Sequence, residues 1–203
     1  VNNLSELHLD ALAEVFNVGA GRAASSLSEI VGDEVKLSIP SVEIKKASEI
    51  NAAVMAMNST KFGAVTQQFS GPFDAKALLL FTESRALEIV RDMMGSQMSI
   101  QELAEFEHDA MCELGNIILN ACLSAMADML KISLSSSLPN YTVASTEEIF
   151  KRIGESADQP FILILHIDLI IEKRHSEGHL VFLLSSESLQ NLVTHIEHYL
   201  ESI

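Results

Sequence analysis

The sequence predicts an α+β fold in which two copies of a helix–strands–helix unit share one continuous, mainly antiparallel sheet, with long helices packed against it. Three observations predict this. Long segments of helical periodicity alternate with short apolar extended ones. Asp10, Glu14, Asn17 and Pro40 recur as Asp109, Glu113, Asn116 and Pro139, all displaced by 99 positions. LLLFTESRALEIV at 78–90 recurs as VFLLSSESLQNLV at 181–193, displaced by 103, so the second half carries a small insertion. A duplicated unit implies pseudo-twofold symmetry. It also implies one domain over 1–203, with repeats at about 5–95 and 100–201.

Each element has a local reason. Leu12, Val15, Phe16 and Leu27 give residues 5–30 apolar helical faces, and Gly32 is placed to end that helix. EVKLSIPSVEI (34–44) reads as a strand, with Pro40 marking an edge or an end. NAAVMAMNS (51–59), GAVTQQFS (63–70) and AKALLLFT (75–82) read as three more strands, with turns at Asn58–Gly63 and Gly71–Asp74. SRALEIVRDMMG (84–95) reads as a helix closed by Gly95. The second half repeats the order. A long helix covers 100–131 and a strand containing Pro139 covers 131–143. A short helix at 145–156 opens on the capping box Ser145–Glu148. Strands at 161–173 and 179–185 are joined through HSEG, and a helix covers 186–200.

Lys and Arg number 13 against 28 Asp and Glu, a formal charge of −15. Nucleic acids and anionic membranes are therefore poor partners, because both require cationic side chains to displace counterions. Cys112 and Cys122, ten positions apart in one apolar helical pattern, read as small core residues. No disulfide framework, signal peptide or long uninterrupted apolar run is evident, so the cytoplasm is the expected compartment. The Met-containing run MCELGNIILNACLSAMADML reads as core.

At about 100° per residue, positions i, i+4 and i+7 share one helix face. Asp10, Glu14 and Asn17 therefore form one polar stripe, and Asp109, Glu113 and Asn116 another, while Leu12, Val15, Phe16, Met111 and Leu114 point elsewhere. A single stripe reads as a solvated face. Two stripes, each with its Pro 23 positions after the Asn, lean toward function, because exposed Glu and Asn do not build a core. Gly19 and Gly21 give the first helix a small surface that a neighbour or partner can approach. NVGAG lies mid-helix and follows no strand, so it is not a phosphate-cradling loop. His175 with His179, and His195 with His198, have spacings compatible with metal ligation, but no Cys or carboxylate cluster recurs with either pair, and no metal site is expected. No nucleophile motif is present.

DALAEVFNVGAGRAASSL and DAMCELGNIILNACLSAM, each followed by its Pro, resemble the Asp/Ser-x3-Glu-x2-Asn-x22-Pro pattern of the CheC/CheX/FliY phosphatases of bacterial chemotaxis. The resemblance spans essentially the whole chain. Two complete motifs, with NVGAG after the first, look most like CheC, and no added C-terminal rotor domain of the FliY kind is expected before Ile203. The resemblance implies hydrolysis of the aspartyl phosphate of a CheY-type response regulator, with the deamidase CheD as a further partner. This chain is expected to hold no cofactor, because the receiver supplies its own Mg²⁺ and Lys. A neutral carboxamide suits the orienting of an in-line water: its oxygen accepts, its NH2 donates, and it does not repel phosphoryl oxygens. Asn17 and Asn116 are thus the expected water-orienting residues. Glu14 and Glu113 are expected to pair with a receiver cation and fix the docking register. Asp10 and Asp109 are expected to support docking, and Pro40 and Pro139 to shape the adjoining strands. The alternative is a non-catalytic adaptor for a receiver, CheD or the flagellar switch.

Overall fold

A computed structural model describes residues 4–49, 61–95, 97–154 and 160–203. The first half contains α1 (Glu6–Val31), β1 (Val35–Lys46), a 3-10 turn (Ala47–Glu49), β2 (Lys61–Ser70), β3 (Ala75–Thr82) and α2 (Glu83–Met94). The second contains α3 (Ile100–Leu130), β4 (Ser135–Ser136), β5 (Asn140–Ser145), α4 (Thr146–Gly154), β6 (Phe161–Ile171), β7 (Arg174–Leu184) and α5 (Ser186–Glu201). Their seven strands form one sheet in the order β1-β6-β7-β3-β2, with β4 and β5 both on the free side of β2. Every pairing is antiparallel. Each half thus lends its outermost strand to the other: β1 pairs with β6, and β5 with β2.

Both long helices begin and end on local chemistry. The Ser5 hydroxyl accepts from His8 N–H, while His8 Nδ1 accepts from Ser5 N–H. Gly32 closes α1 in the left-handed conformation at φ 74°, as its lack of Cβ allows. Ser99 and Glu102 make the equivalent capping box on α3. Period-two alternation in β6 sends Leu163, Leu165, Ile167 and Leu169 into a core shared with α1 and α3. The intervening residues face the opposite side. There Ile162 joins Phe62, Leu78, Val181 and Leu183 in a smaller cluster with Ile149 of α4. Among the described residues, only α3 has the length and apolarity of a membrane span, and twelve of its residues are buried within this fold.

Several expectations change. The expected strand at 51–59 lies outside the described residues. Residues 61–63 begin β2 rather than completing a turn. The segment 131–143 is not one strand: β4 stops at Ser136 and β5 starts at Asn140, leaving Pro139 between them. HSEG is no turn. It lies inside β7, and the reversal is made by Glu172 and Lys173, both at positive φ (48° and 71°).

Candidate functional site

The two stripe-bearing helices pack against each other. Gly19 lets them cross closely, since a Cβ there would stand 2.6 Å from the Cys122 Cα. Arg22 of α1 also bonds Asp128 (2.7 Å) and Ser124 (3.1 Å) of α3. Cys122 is buried and its thiol is pushed up to about 12, so it is a core residue as expected. Cys112 is half-buried, with its Sγ 3.8 Å from the Pro139 carbonyl.

On α1, Asp10, Glu14 and Asn17 are all exposed, while Ala11, Leu12, Val15 and Phe16 are buried. On α3, Asp109 and Glu113 are exposed and Asn116 is half-buried. Neither amide is sealed in the interior. Within the described residues, Glu14 and Glu113 have no cation partner, whereas Asp109 lies 3.3 Å from His108. The stripes therefore present carboxylates beside amides, as the spacing predicts.

The two amides are held differently. Asn17 Oδ1 accepts from Ile39 N–H (2.9 Å), and Asn17 Nδ2 donates to the Ile39 carbonyl (3.0 Å) and to the Ala13 carbonyl (2.9 Å). The side-chain amide thus pairs with Ile39 as the peptide unit of a neighbouring strand would. The sheet register explains why Ile39 is available. Ser38 pairs with Asp168 and Ser41 with His166, so Ile39 and Pro40 together oppose Ile167 in a bulge. Pro40 brings no N–H, and the bulge turns the Ile39 amide and carbonyl out of the ladder toward α1. Of Asn17's hydrogen-bonding capacity, one oxygen lone pair is left. Pro40 lies within this bulge and is exposed.

In the second copy, Asn116 Oδ1 accepts from Asn120 Nδ2 at 2.7 Å, and Asn120 Oδ1 accepts from the Ser136 hydroxyl at 3.1 Å. Asn116 Nδ2 has no hydrogen bond among the described residues. The segment before Pro139 is drawn the other way: Ser137 N–H donates to the Gln68 carbonyl (2.9 Å), and Gln67 Nε2 donates to the Ser137 carbonyl (2.7 Å). Leu138, the counterpart of Ile39, is 90% exposed. The residue before each Asn also differs. Phe16 stacks on Phe182 at 5.5 Å, whereas Gly115 lets α3 sit directly on Val65 of β2. Gly21, the counterpart of Asn120, has nothing within 4 Å of its Cβ position, so it leaves open surface rather than serving a close contact.

Sequence reasoning missed Asn120, Ser136 and the Ile39 backbone. The fixed Asn-x22-Pro spacing was the available signal for Ile39. It also missed a carboxylate cluster on the sheet face away from α1 and α3. There Asp168 and Glu177 join His175, correcting the expectation that no carboxylates accompany that histidine. His175 and His179 do share a face, because they stand four residues apart in one strand. The His195 and His198 rings lie 6.4 Å apart on α5.

Comparisons with known proteins follow the motifs. No family model matches the chain. It is 24% identical over 145 residues to CheY-P phosphatase CheC of Bacillus subtilis (strain 168), covering 70% of this chain and 69% of that protein. The resemblance is to the CheC/CheX/FliY family. A second CheC/CheX/FliY relative, the flagellar motor switch phosphatase FliY of B. subtilis, is 25% identical over 73% of this chain and 39% of its own length. Among solved structures, Thermotoga maritima FliY has the same fold, with a TM-score of 0.80 at 19% identity over 97% of this chain and 98% of that one. The CheX–CheY–BeF3–Mg²⁺ complex of Borrelia burgdorferi gives a TM-score of 0.52 at 12% identity, covering 83% of this chain and 96% of that one. The H. pylori FliM middle domain gives 0.61 at 14% identity, covering 95% and 99%.

Proposed function

We propose that this chain hydrolyses the aspartyl phosphate of a phosphorylated CheY-type response regulator, at two pseudo-equivalent sites within one cytoplasmic domain spanning 1–203. The observation that carries the reading is the pair of open stripes on α1 and α3, each offering a Glu with no cation partner among the described residues, one turn before an accessible Asn. Two relatives bear phosphatase names, and a structural neighbour is a CheX–CheY complex. The strand order supports the repeat, since exchanging β1, β2 and β3 for β5, β6 and β7 leaves it unchanged.

In this reading Glu14 and Glu113 pair with a cation of the receiver and set the docking register. The receiver contributes its Mg²⁺, and this chain holds no cofactor of its own for the reaction. The acyl phosphate is already activated, so the chain's task is placing one water in line with the leaving oxygen. Asn116 is poised for it: one oxygen lone pair accepts from the water, and its free NH2 can donate to a phosphoryl oxygen. Asn17 does the same only after its NH2 leaves the Ile39 carbonyl. Asp10 and Asp109 extend the docking surface, and CheD is a further partner.

The test is phosphate release from a phosphorylated receiver. Asn17→Ala and Asn116→Ala are each expected to retain part of the activity, with the larger loss in Asn116→Ala. The double variant is expected to lose nearly all of it. A fully active double variant overturns the assignment. The rival is a non-catalytic adaptor for a receiver, CheD or the flagellar switch; the fold shared with FliM and the structural use of Asn17 favour it. It requires tight receiver binding with no phosphate release in the unmodified chain.

A further inference from the structure

We propose that Asp168, His175 and Glu177 form a binding site for a divalent first-row transition ion on the sheet face turned away from the motif helices. Asp168 and Glu177 are direct partners across β6 and β7, and His175 pairs with the next residue of that face, Ile170. One ligand atom from each of the three lies within 4.8 Å of the other two. His175 Nε2 and Asp168 Oδ1 are already 3.0 Å apart. An ion about 2.1 Å from each ligand needs tetrahedral donors about 3.4 Å apart, so rotation of the exposed Glu177 side chain closes the set.

The placement is built by register. Alternation sends Leu165, Ile167 and Leu169 into the helix-side core, so His166 and Asp168 share the other face. His175, Glu177 and His179 share it on β7. A further imidazole pair, His166 and His179, follows one step along that face with ring centroids 4.7 Å apart. Two carboxylates and a neutral imidazole carry a net negative charge, on a chain of −15. That charge draws a dication, and the nitrogen ligand selects transition ions over Mg²⁺ and Ca²⁺, which prefer all-oxygen shells. The ion would tie β6 to β7 beside the reversal at Glu172 and Lys173, on the opposite side of the sheet from Asn17 and Asn116.

The experiment uses the full chain, freed of metal with a chelator and desalted, and titrated calorimetrically with Zn²⁺. One saturable equivalent is expected, unaffected by a hundredfold excess of Mg²⁺. His175→Ala and Glu177→Gln are each expected to weaken it at least tenfold. Zn²⁺ should raise the thermal midpoint of the unmodified chain and not that of His175→Ala. Both substitutions are at exposed positions, and far-ultraviolet circular dichroism checks that each variant folds. The proposal is overturned if binding does not saturate, if His175→Ala binds as the unmodified chain does, or if the Zn²⁺ signal disappears with His195→Ala or His198→Ala instead.

Discussion

Replacing Asn17 with Ala separates its structural work from its proposed chemical work. The change removes three hydrogen bonds: two with the Ile39 backbone and one with the Ala13 carbonyl. The Ala13 carbonyl retains its helical partner, so the third bond contributes little. The two strand bonds contribute about 1 kcal/mol each. Ala is the better helix former by about 0.5 kcal/mol, which offsets part of the loss. The net expectation is a destabilisation of about 1.5 kcal/mol. For a chain of this size that corresponds to roughly 3–6 °C in thermal midpoint. Asn116→Ala loses only the bond from Asn120 and gains the same propensity, so its expected change is about 0.5 kcal/mol or less. Urea unfolding of both variants, with unchanged m-values, measures the difference. If Asn17→Ala is no less stable than Asn116→Ala, the strand-like pairing with Ile39 does not hold β1 in place.

Gly115→Ala should destabilise by about 1–3 kcal/mol and lower phosphate release at the second site, because the new methyl meets the Val65 side chain beneath α3. Gly21→Ala has open space and should be neutral or up to about 1 kcal/mol stabilising; denaturation curves of the pair decide whether close approach explains the difference. Asp92, whose side chain is 4% exposed, bonds Arg174, yet burial outweighs that attraction and lifts its carboxyl above the usual range. Arg174→Ala should therefore cost about 1–2 kcal/mol at neutral pH, where Asp92 is left charged and unpaired. Because the folded-state value lies above the unfolded one, the penalty belongs to the ionised form and fades as pH falls through the folded value. An equal loss of thermal midpoint at neutral and mildly acidic pH would falsify this account.

The polar stripes were legible because their residues recur at a fixed offset of 99, and because helix periodicity alone separates Glu14 and Asn17 from Val15 and Phe16. The latch on Ile39 was not legible. A helix face read by itself treats Asn17 as outward-facing, and only the tertiary register turns the Ile39 backbone toward it. The β6–β7 reversal was misread for a different reason. Gly178 signals a turn in sequence, but its role is close approach, since a Cβ there would stand 2.5 Å from Phe81 Cε1. The actual reversal places Glu172 and Lys173 in a conformation usually left to Gly or Asn. The break between β4 and β5 is a register shift along β2: Ser136 pairs with Phe69 and Asn140 with Thr66, so Ser137, Leu138 and Pro139 span only Gln67 and Gln68, a tertiary register that local propensity does not record.

The exchange of outer strands has a consequence for a chain cut between its halves. Neither fragment, severed between α2 and α3, keeps a neighbour for its own β1 or β5, because each of those neighbours lies on the other fragment. Either half alone would leave an outer strand without its ladder, so co-expressed halves are expected to reassemble through β1–β6 and β5–β2.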